Sequence, residues 1–327
     1  MHILTEWRSW QMDTGQALKA FRTAKHIKMT DIADNVVSQS LLSRVERGET
    51  DISLNRFNHL LQQLQVTPTE YFAAVNSAAP AADPEDCYLG YFPQFLLDTE
   101  TVQNKTRLTA RLTVAQSLAA QTKAEYTSHP SQWRLITWRA AELFVNRITA
   151  HLDPTQVVPV DSTPAQSYLL NLEHWSLMDV ILFSYFADQF TPTIKLRLLQ
   201  ALLHHIPNIG LVQSWASLLT DIVFGLFQQF MVAHQLGQAQ TTLTIMNDLE
   251  RRFNQTDDAI LLLFMRGWLA YIQDKTDQAN GQQQMDDAIS ILSILKYPQA
   301  AKKYRQLANR ITGIDSTPIV GDITFNR

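Results

Sequence analysis

Val37-Ser38-Gln39-Ser40-Leu41-Leu42-Ser43-Arg44-Val45-Glu46-Arg47-Gly48-Glu49-Thr50-Asp51-Ile52-Ser53-Leu54 decides how the whole chain is read. Ser38 can cap a helix over residues 39–47, and Gly48 stops it in the C′ role that favours a left-handed backbone. Leu41, Leu42 and Val45 supply a buried side to that helix; Gln39, Ser40, Ser43 and Arg44 supply a polar one. Working outward, residues 30–37 predict a short helix with Ile32, Ala33 and Val36 buried, and residues 15–22 open an earlier one with Leu18 and Phe21 inward. Leu54, Phe57, Leu60, Leu61 and Leu64 recur at helical spacing, and Thr67-Pro68-Thr69-Glu70-Tyr71-Phe72 starts a fifth helix with proline in its first turn.

Five short helices with these signatures resemble the helix-turn-helix domains of phage-repressor and xenobiotic-response-element type, a lambda-repressor-like fold. The resemblance rests on Phe21-Arg22, Asp31-Ile32-Ala33, Ser38-Gln39-Ser40, Ser43-Arg44-Val45-Glu46-Arg47-Gly48 and Val66-Thr67-Pro68-Thr69-Glu70-Tyr71-Phe72. It implies a recognition helix that enters the major groove of a double-stranded DNA operator. Gln39 can pair with adenine and Arg44 with guanine, each contact giving about 1–3 kcal/mol of base discrimination. Ser38, Ser40, Ser43, Arg47 and Lys28 complete the expected DNA-binding set. Residues 15–48 carry six lysines and arginines against three carboxylates, a local basic surplus inside a chain of net charge −4. In this fold the positions of Arg22 and Glu46 commonly pair, bracing the first helix on the third, so they are expected to be a structural ion pair. One departure is present: the second helix of the fold often begins Ser-Gln, where this chain has Lys28-Met29. Lysine still reaches phosphate as a point charge, whereas Met29 donates no hydrogen bond.

The run Glu49-Thr50-Asp51-Ile52-Ser53 after the glycine is similar to the Rgg/GadR/MutR regulators of low-GC Gram-positive bacteria, as is Trp138-Arg139-Ala140-Ala141-Glu142-Leu143-Phe144-Val145-Asn146 further on. That resemblance implies a homodimeric transcription regulator with a tetratricopeptide-like right-handed helical repeat in its C-terminal half. It also implies that a short apolar signalling peptide is bound on the concave face, as in quorum sensing; other members work without a known ligand. Residues 1–11 then read as an added arm or a mis-set start.

Beyond the first domain the expected partition is an arm over 1–14, the helix-turn-helix over 15–74, a linker over 75–87, helical repeats over 88–312 and a tail over 313–327. The linker is Asn76-Ser77-Ala78-Ala79-Pro80-Ala81-Ala82-Asp83-Pro84, small residues and proline. Apolar residues in Leu196-Leu199-Leu202-Leu203-Ile206 and Ala288-Ile291-Leu292-Leu295 recur at three and four, and Pro154, Pro164, Pro192, Pro207 and Pro298 fall between such runs. Trp138 and Trp175 mark a loose repeat about 37 residues long. Gly237-Gln238-Ala239 and Asp277-Gln278-Ala279 each place an alanine where two helices would approach closely. An irregular helical bundle remains the alternative to a stack of helix pairs.

Composition excludes several classes. The chain has 327 residues, 46% hydrophobic and 18% charged, which is globular rather than disordered. Ten glycines and one cysteine, Cys87, argue against glycine-rich phosphate loops, internal disulfides and four-thiolate zinc, and fit a reducing cytoplasm. No apolar run is long enough to cross a bilayer. No catalytic constellation stands out, so no enzyme activity and no cofactor are expected, and His204-His205 lack the spacing of a helical metal pair. The candidate peptide contacts are Arg107 and Arg111, four apart, and Arg139 and Asn146, seven apart on one helical face; a solvated helix face is the alternative for each. Trp175, Trp215 and Trp268 read as core. The apolar tail Thr317-Pro318-Ile319-Val320-Gly321-Asp322-Ile323-Thr324-Phe325 either occupies the protein's own groove or packs as a plain terminus. The second functional reading keeps the DNA-binding domain and leaves the helical half to dimerisation, a protein partner or a non-peptide ligand.

Overall fold

In a computed structural model the first helix, α1 (Thr14–Ala24), buries Ala17 and Leu18 and crosses the third so closely that a side chain at Gly15 would collide with it. A Cβ there would lie 1.7 Å from the Val45 carbonyl oxygen. The structure describes residues 14–76, 99–102, 104–205, 213–273, 275–317 and 319. Every regular element among them is helical, as the sequence predicts. The chain divides into two compact units, Met1–Leu96 and Leu97–Arg327. Most of the arm, most of the linker with Cys87, and most of the apolar part of the tail lie outside the described residues, as does the Trp215 side chain.

The first unit continues with α2 (Met29–Ile32), α3 (Gln39–Glu46), α4 (Leu54–Leu64) and α5 (Pro68–Asn76). Leu42, Val45, Leu60, Leu61, Leu64 and Tyr71 close its core, with the Phe57 ring edge-on to Tyr71 at 4.9 Å. The second helix is shorter than the sequence predicts. Asp34 breaks it: its Oδ1 accepts the amides of Val36 and Val37 at 2.8 and 2.9 Å, holding a turn where a helix would continue. The register then slips by one residue, so Val37 is buried and Val36 exposed, the reverse of the expected parity.

The second unit holds α6 (Thr99–Val102), α7 (Lys105–Ser128), α8 (Gln132–Leu152), α9 (Thr163–Leu170), α10 (Leu177–Phe186), α11 (Pro192–His205), α12 (Gln213–Val232), α13 (Leu236–Phe253), α14 (Thr256–Gln273), α15 (Gln278–Ile294) and α16 (Pro298–Ile311). Successive helices pack as hairpins: α7 on α8, α12 on α13, α14 on α15, and α15 on α16. Phe144, Phe183, Phe186, Phe227, Phe230 and Phe264 are fully buried among them. Pro192 and Pro298 open helices and Pro164 sits in the first turn of one, where the missing amide costs nothing.

Two repeat signals change meaning. Trp138 lies well inside α8, stacked on Tyr126 with centroids 5.7 Å apart, whereas Trp175 precedes α10 and meets Phe183 edge-on, so their spacing is not a structural period. Ala239 is buried in the first turn of α13 as expected, but Ala279 is exposed. The close approach belongs instead to Gly267 and Gly281: a Cβ at Gly281 would lie 2.5 Å from the Tyr271 amide nitrogen, and one at Gly267 would lie 2.6 Å from the Gly281 carbonyl oxygen.

Candidate nucleic-acid interface and ligand groove

Both ends of α3 are fixed by groups other than its outward side chains. The Ser38 Oγ accepts the Leu41 amide at 3.3 Å, and the Glu49 and Gly48 amides donate to the Arg44 and Val45 carbonyls at 2.9 Å each, with Gly48 at φ 69°. Leu42, Val45 and Glu46 face inward. Gln39, Ser40 and Arg44 are exposed, Ser43 is half-buried, and together they occupy the polar side of the first two turns. Ser38 is committed to its cap and also meets the Ser40 hydroxyl at 3.1 Å. Arg47 forms an exposed bidentate pair with Glu49 at 2.5 and 2.7 Å and donates to the Ser43 hydroxyl. That pair holds the Glu49 carboxyl below its usual pKa. Lys28 is exposed at the start of α2, its amide donating to Asp31 Oδ2 at 3.0 Å, while Met29 packs against the core.

Arg22 and Glu46 are brought together across α1 and α3. Nε and Nη2 of Arg22 donate to the two Glu46 oxygens at 2.6 and 2.8 Å, and Nη1 donates to the Ile27 carbonyl at 2.9 Å. Both residues are buried, and the hydrogen bond to Glu46 raises the Arg22 pKa. Sequence reasoning missed two neighbours of this frame. Lys25, one of the six cations of residues 15–48, donates to the Leu64 and Gln65 carbonyls at 2.7 and 2.8 Å and so caps the end of α4. His59 on α4 meets Asp34 Oδ2 at 2.6 Å, tying α4 to the turn before α3. No sequence pattern links Asp34 to a residue 25 positions away.

In the second unit the four candidate peptide contacts have different surroundings. Arg107 is exposed and Arg111 sits half-buried with its guanidinium 5.2 Å from the Phe144 ring centre. Arg139 pairs with Glu142 at 2.7 Å and lies 4.2 Å over the Trp138 ring, which Lys123 also approaches at 5.3 Å. The Arg139 Nε is buried without a hydrogen-bond partner among the described residues. The Asn146 amide, expected to be open for a ligand, is committed within the chain: its Nδ2 donates to the Val158 carbonyl, and its Oδ1 accepts the Val158 amide. The loop after α8 folds back over this side chain and takes both of its polar groups.

A groove of about 600 Å³ instead opens between α11 and α13, lined by Gln200, Leu203, His204, Gln240, Thr241, Thr244 and Ile245. Its lining joins the amides of Gln200 and Gln240 and the hydroxyls of Thr241 and Thr244 to the apolar side chains of Leu203 and Ile245, a mixture suited to an extended backbone. The signal available in sequence was the polar pairing at i, i+4 in Gln200–His204 and Gln240–Thr244, opposite the apolar stripe of each helix. No group of metal-ligating side chains occurs among the described residues, and none of the described helices is long and apolar enough to cross a membrane.

A capped recognition helix braced by a buried ion pair, followed by helical hairpins, defines a helix-turn-helix transcription regulator. Residues 18–71 match the family model for helix-turn-helix domains, and residues 118–306 match that described as HTH-type transcriptional regulator Rgg, C-terminal domain. The chain belongs to the Rgg family of transcription regulators. Among solved structures, a putative transcriptional regulator from Listeria monocytogenes EGD-e is 16% identical with a TM-score of 0.75, covering 93% of this chain and 98% of that one. The SHP pheromone receptor Rgg2 of Streptococcus dysgalactiae is 18% identical with a TM-score of 0.63, covering 91% and 99%. The PrgX/cCF10 complex is 11% identical with a TM-score of 0.62, covering 93% of each chain. These likenesses are of fold. No curated protein matches the chain by sequence.

Proposed function

We propose that the protein is a cytoplasmic, homodimeric regulator, with residues 15–74 reading an operator and residues 88–312 binding a short apolar signalling peptide. The observation that carries the DNA reading is the polar side of α3, whose Gln39, Ser40, Ser43 and Arg44 stand outward on a helix anchored from behind by Glu46. In this reading Gln39 and Arg44 meet base edges, and Lys28, Ser38, Ser40, Ser43 and Arg47 lie along the phosphates. Arg47 would exchange Glu49 for phosphate, a small loss for an exposed pair. Two copies would set half-sites about 34 Å apart, one helical turn of DNA, or a multiple of it.

The peptide reading is supported by the groove between α11 and α13 and by the likeness to the SHP pheromone receptor Rgg2 and to PrgX in its complex with cCF10. Gln200 and Gln240 offer donor and acceptor to a peptide backbone, and Arg139 keeps one buried donor unused beside Trp138. No catalytic role is assigned to any residue.

Selection of the preferred operator from random duplexes, followed by fluorescence anisotropy on it, tests the DNA reading. Arg44→Ala is expected to weaken operator binding by about ten- to hundredfold, with little change on random DNA. An unchanged ratio of operator to random affinity would remove α3 from base readout.

A further inference from the structure

Asn146 grips a single residue of the chain by its backbone alone. Its Nδ2 donates to the Val158 carbonyl and its Oδ1 accepts the Val158 amide at 3.3 Å, so one side-chain amide takes both backbone groups of one residue. Val158 makes no other hydrogen bond among the described residues. Its side chain stands outward, 65% exposed, and that of Val157 is 41% exposed. The segment therefore adds little burial, and any residue with an amide hydrogen could supply the two bonds that hold it.

The segment also runs back along the helix that grips it. After a 3-10 turn over Pro154–Gln156 the chain reverses; Val157 is extended at φ −69° and ψ 129°, and Pro159 keeps Val158 out of the helical region. Asp161 follows Val158 by three residues, about 10 Å of extended chain, and Arg139 precedes Asn146 by seven, about 10.5 Å of helix. The two spans match. Hydrogen bonds from Thr163 hold the Asp161 carboxyl below its usual pKa, and the Arg139 charge lowers it further. Arg139 itself pairs with Glu142 at 2.7 Å, and its buried Nε has no hydrogen-bond partner among the described residues.

We propose that this face of α8 is a peptide site filled by the chain's own residues 157–161, and that an extended apolar peptide carrying a carboxylate three residues past its gripped position displaces them. The inference rests on the peptide reading above and adds a second point of attachment for the same class of ligand. Asn146 supplies sequence-independent affinity through the backbone, as in peptide recognition by strand addition. Arg139 supplies the selection for a negative charge at a fixed distance. The internal segment is then a competitor that sets the ligand concentration at which the site responds.

Fluorescence anisotropy of a labelled synthetic peptide with the sequence of residues 156–161, its C-terminus amidated, tests this on the full chain, with circular dichroism confirming helix content in every variant. The tethered segment competes at high effective concentration, so the wild type is expected to bind the probe weakly. Val158→Pro deletes the amide that Asn146 accepts, and replacing residues 157–160 by Gly-Ser-Gly-Ser loosens the segment. Each is expected to tighten probe binding about tenfold by removing the competitor. Adding Asn146→Ala to Val158→Pro is expected to reverse that gain. A probe ending in alanine with a free carboxyl is expected to bind as well if a terminal carboxylate serves, and its amidated form at least about tenfold worse than either. Tightening in neither released variant, or a gain that survives Asn146→Ala, would overturn the inference and leave Asn146 as a staple for the loop. Saturable binding of other short apolar peptides to the wild type, unaffected by these variants, would do the same and keep the peptide reading; no binding of any peptide to any variant would overturn both.

Discussion

Arg22 exchanges water for two carboxylate oxygens of Glu46 and the Ile27 carbonyl, and Glu46 has no exposed face through which water could replace that partner. The pair therefore acts as a strut rather than as a source of net stability, because desolvating both charges offsets most of their attraction. Arg22→Met is expected to destabilise the first unit by about 3–5 kcal/mol by leaving the Glu46 charge buried alone, and Arg22→Met with Glu46→Leu to recover much of it. Hydrogen exchange at the Leu18 and Val45 amides in the full chain reads both values; equal losses in the single and double variants would show that the pair is not coupled. This pair is expected through the resemblance to helix-turn-helix domains, not from any local pattern linking residues 24 positions apart. The Ser38 cap and the Gly48 stop are legible directly, because capping chemistry is local.

Between elements the sequence carries less. Amphipathic spacing locates each helix, but it does not say which residue of a helix touches the next one. Ala239 and Ala279 look equivalent in the chain, yet only Ala239 is buried, and the tight crossing is made by Gly267 and Gly281. A glycine inside a helix reads as a weakness until the neighbouring backbone is in place. Likewise, the one-residue slip from Val36 to Val37 follows from Asp34 ending α2 early, and the groove joins residues 40 positions apart on α11 and α13. Gly281→Ala is expected to cost about 1–3 kcal/mol even though alanine is the better helix former, because the α14 backbone at Tyr271 occupies the space its methyl group needs. Thermal unfolding followed by circular dichroism measures this; a stabilised variant would mean that the crossing relaxes freely.

At the scale of the whole molecule the two proposed activities belong to different units, so coupling them requires a ligand with different affinity for two states of the dimer. Short apolar peptides encoded near the gene, titrated calorimetrically into the full chain, are expected to bind saturably with a negative heat-capacity change. Gln240→Ala, which removes an amide from the groove, is expected to weaken that binding about tenfold, the value of one well-placed hydrogen bond. Saturable binding untouched by Gln240→Ala would place the ligand elsewhere. Absence of binding across the set would leave the second unit to assembly alone.

The separation of duties on α3 has an evolutionary consequence. The groups that hold the helix, namely the Ser38 hydroxyl, the Gly48 turn, Leu42, Val45 and the Glu46 strut, are not the groups it presents to solvent. Gln39, Ser40 and Arg44 can therefore drift, or be exchanged wholesale, with little effect on folding. A lineage built on this scaffold can acquire a new operator by a few surface substitutions and keep its ligand response. Duplicated copies can then diverge to separate targets without passing through an unfolded ancestor.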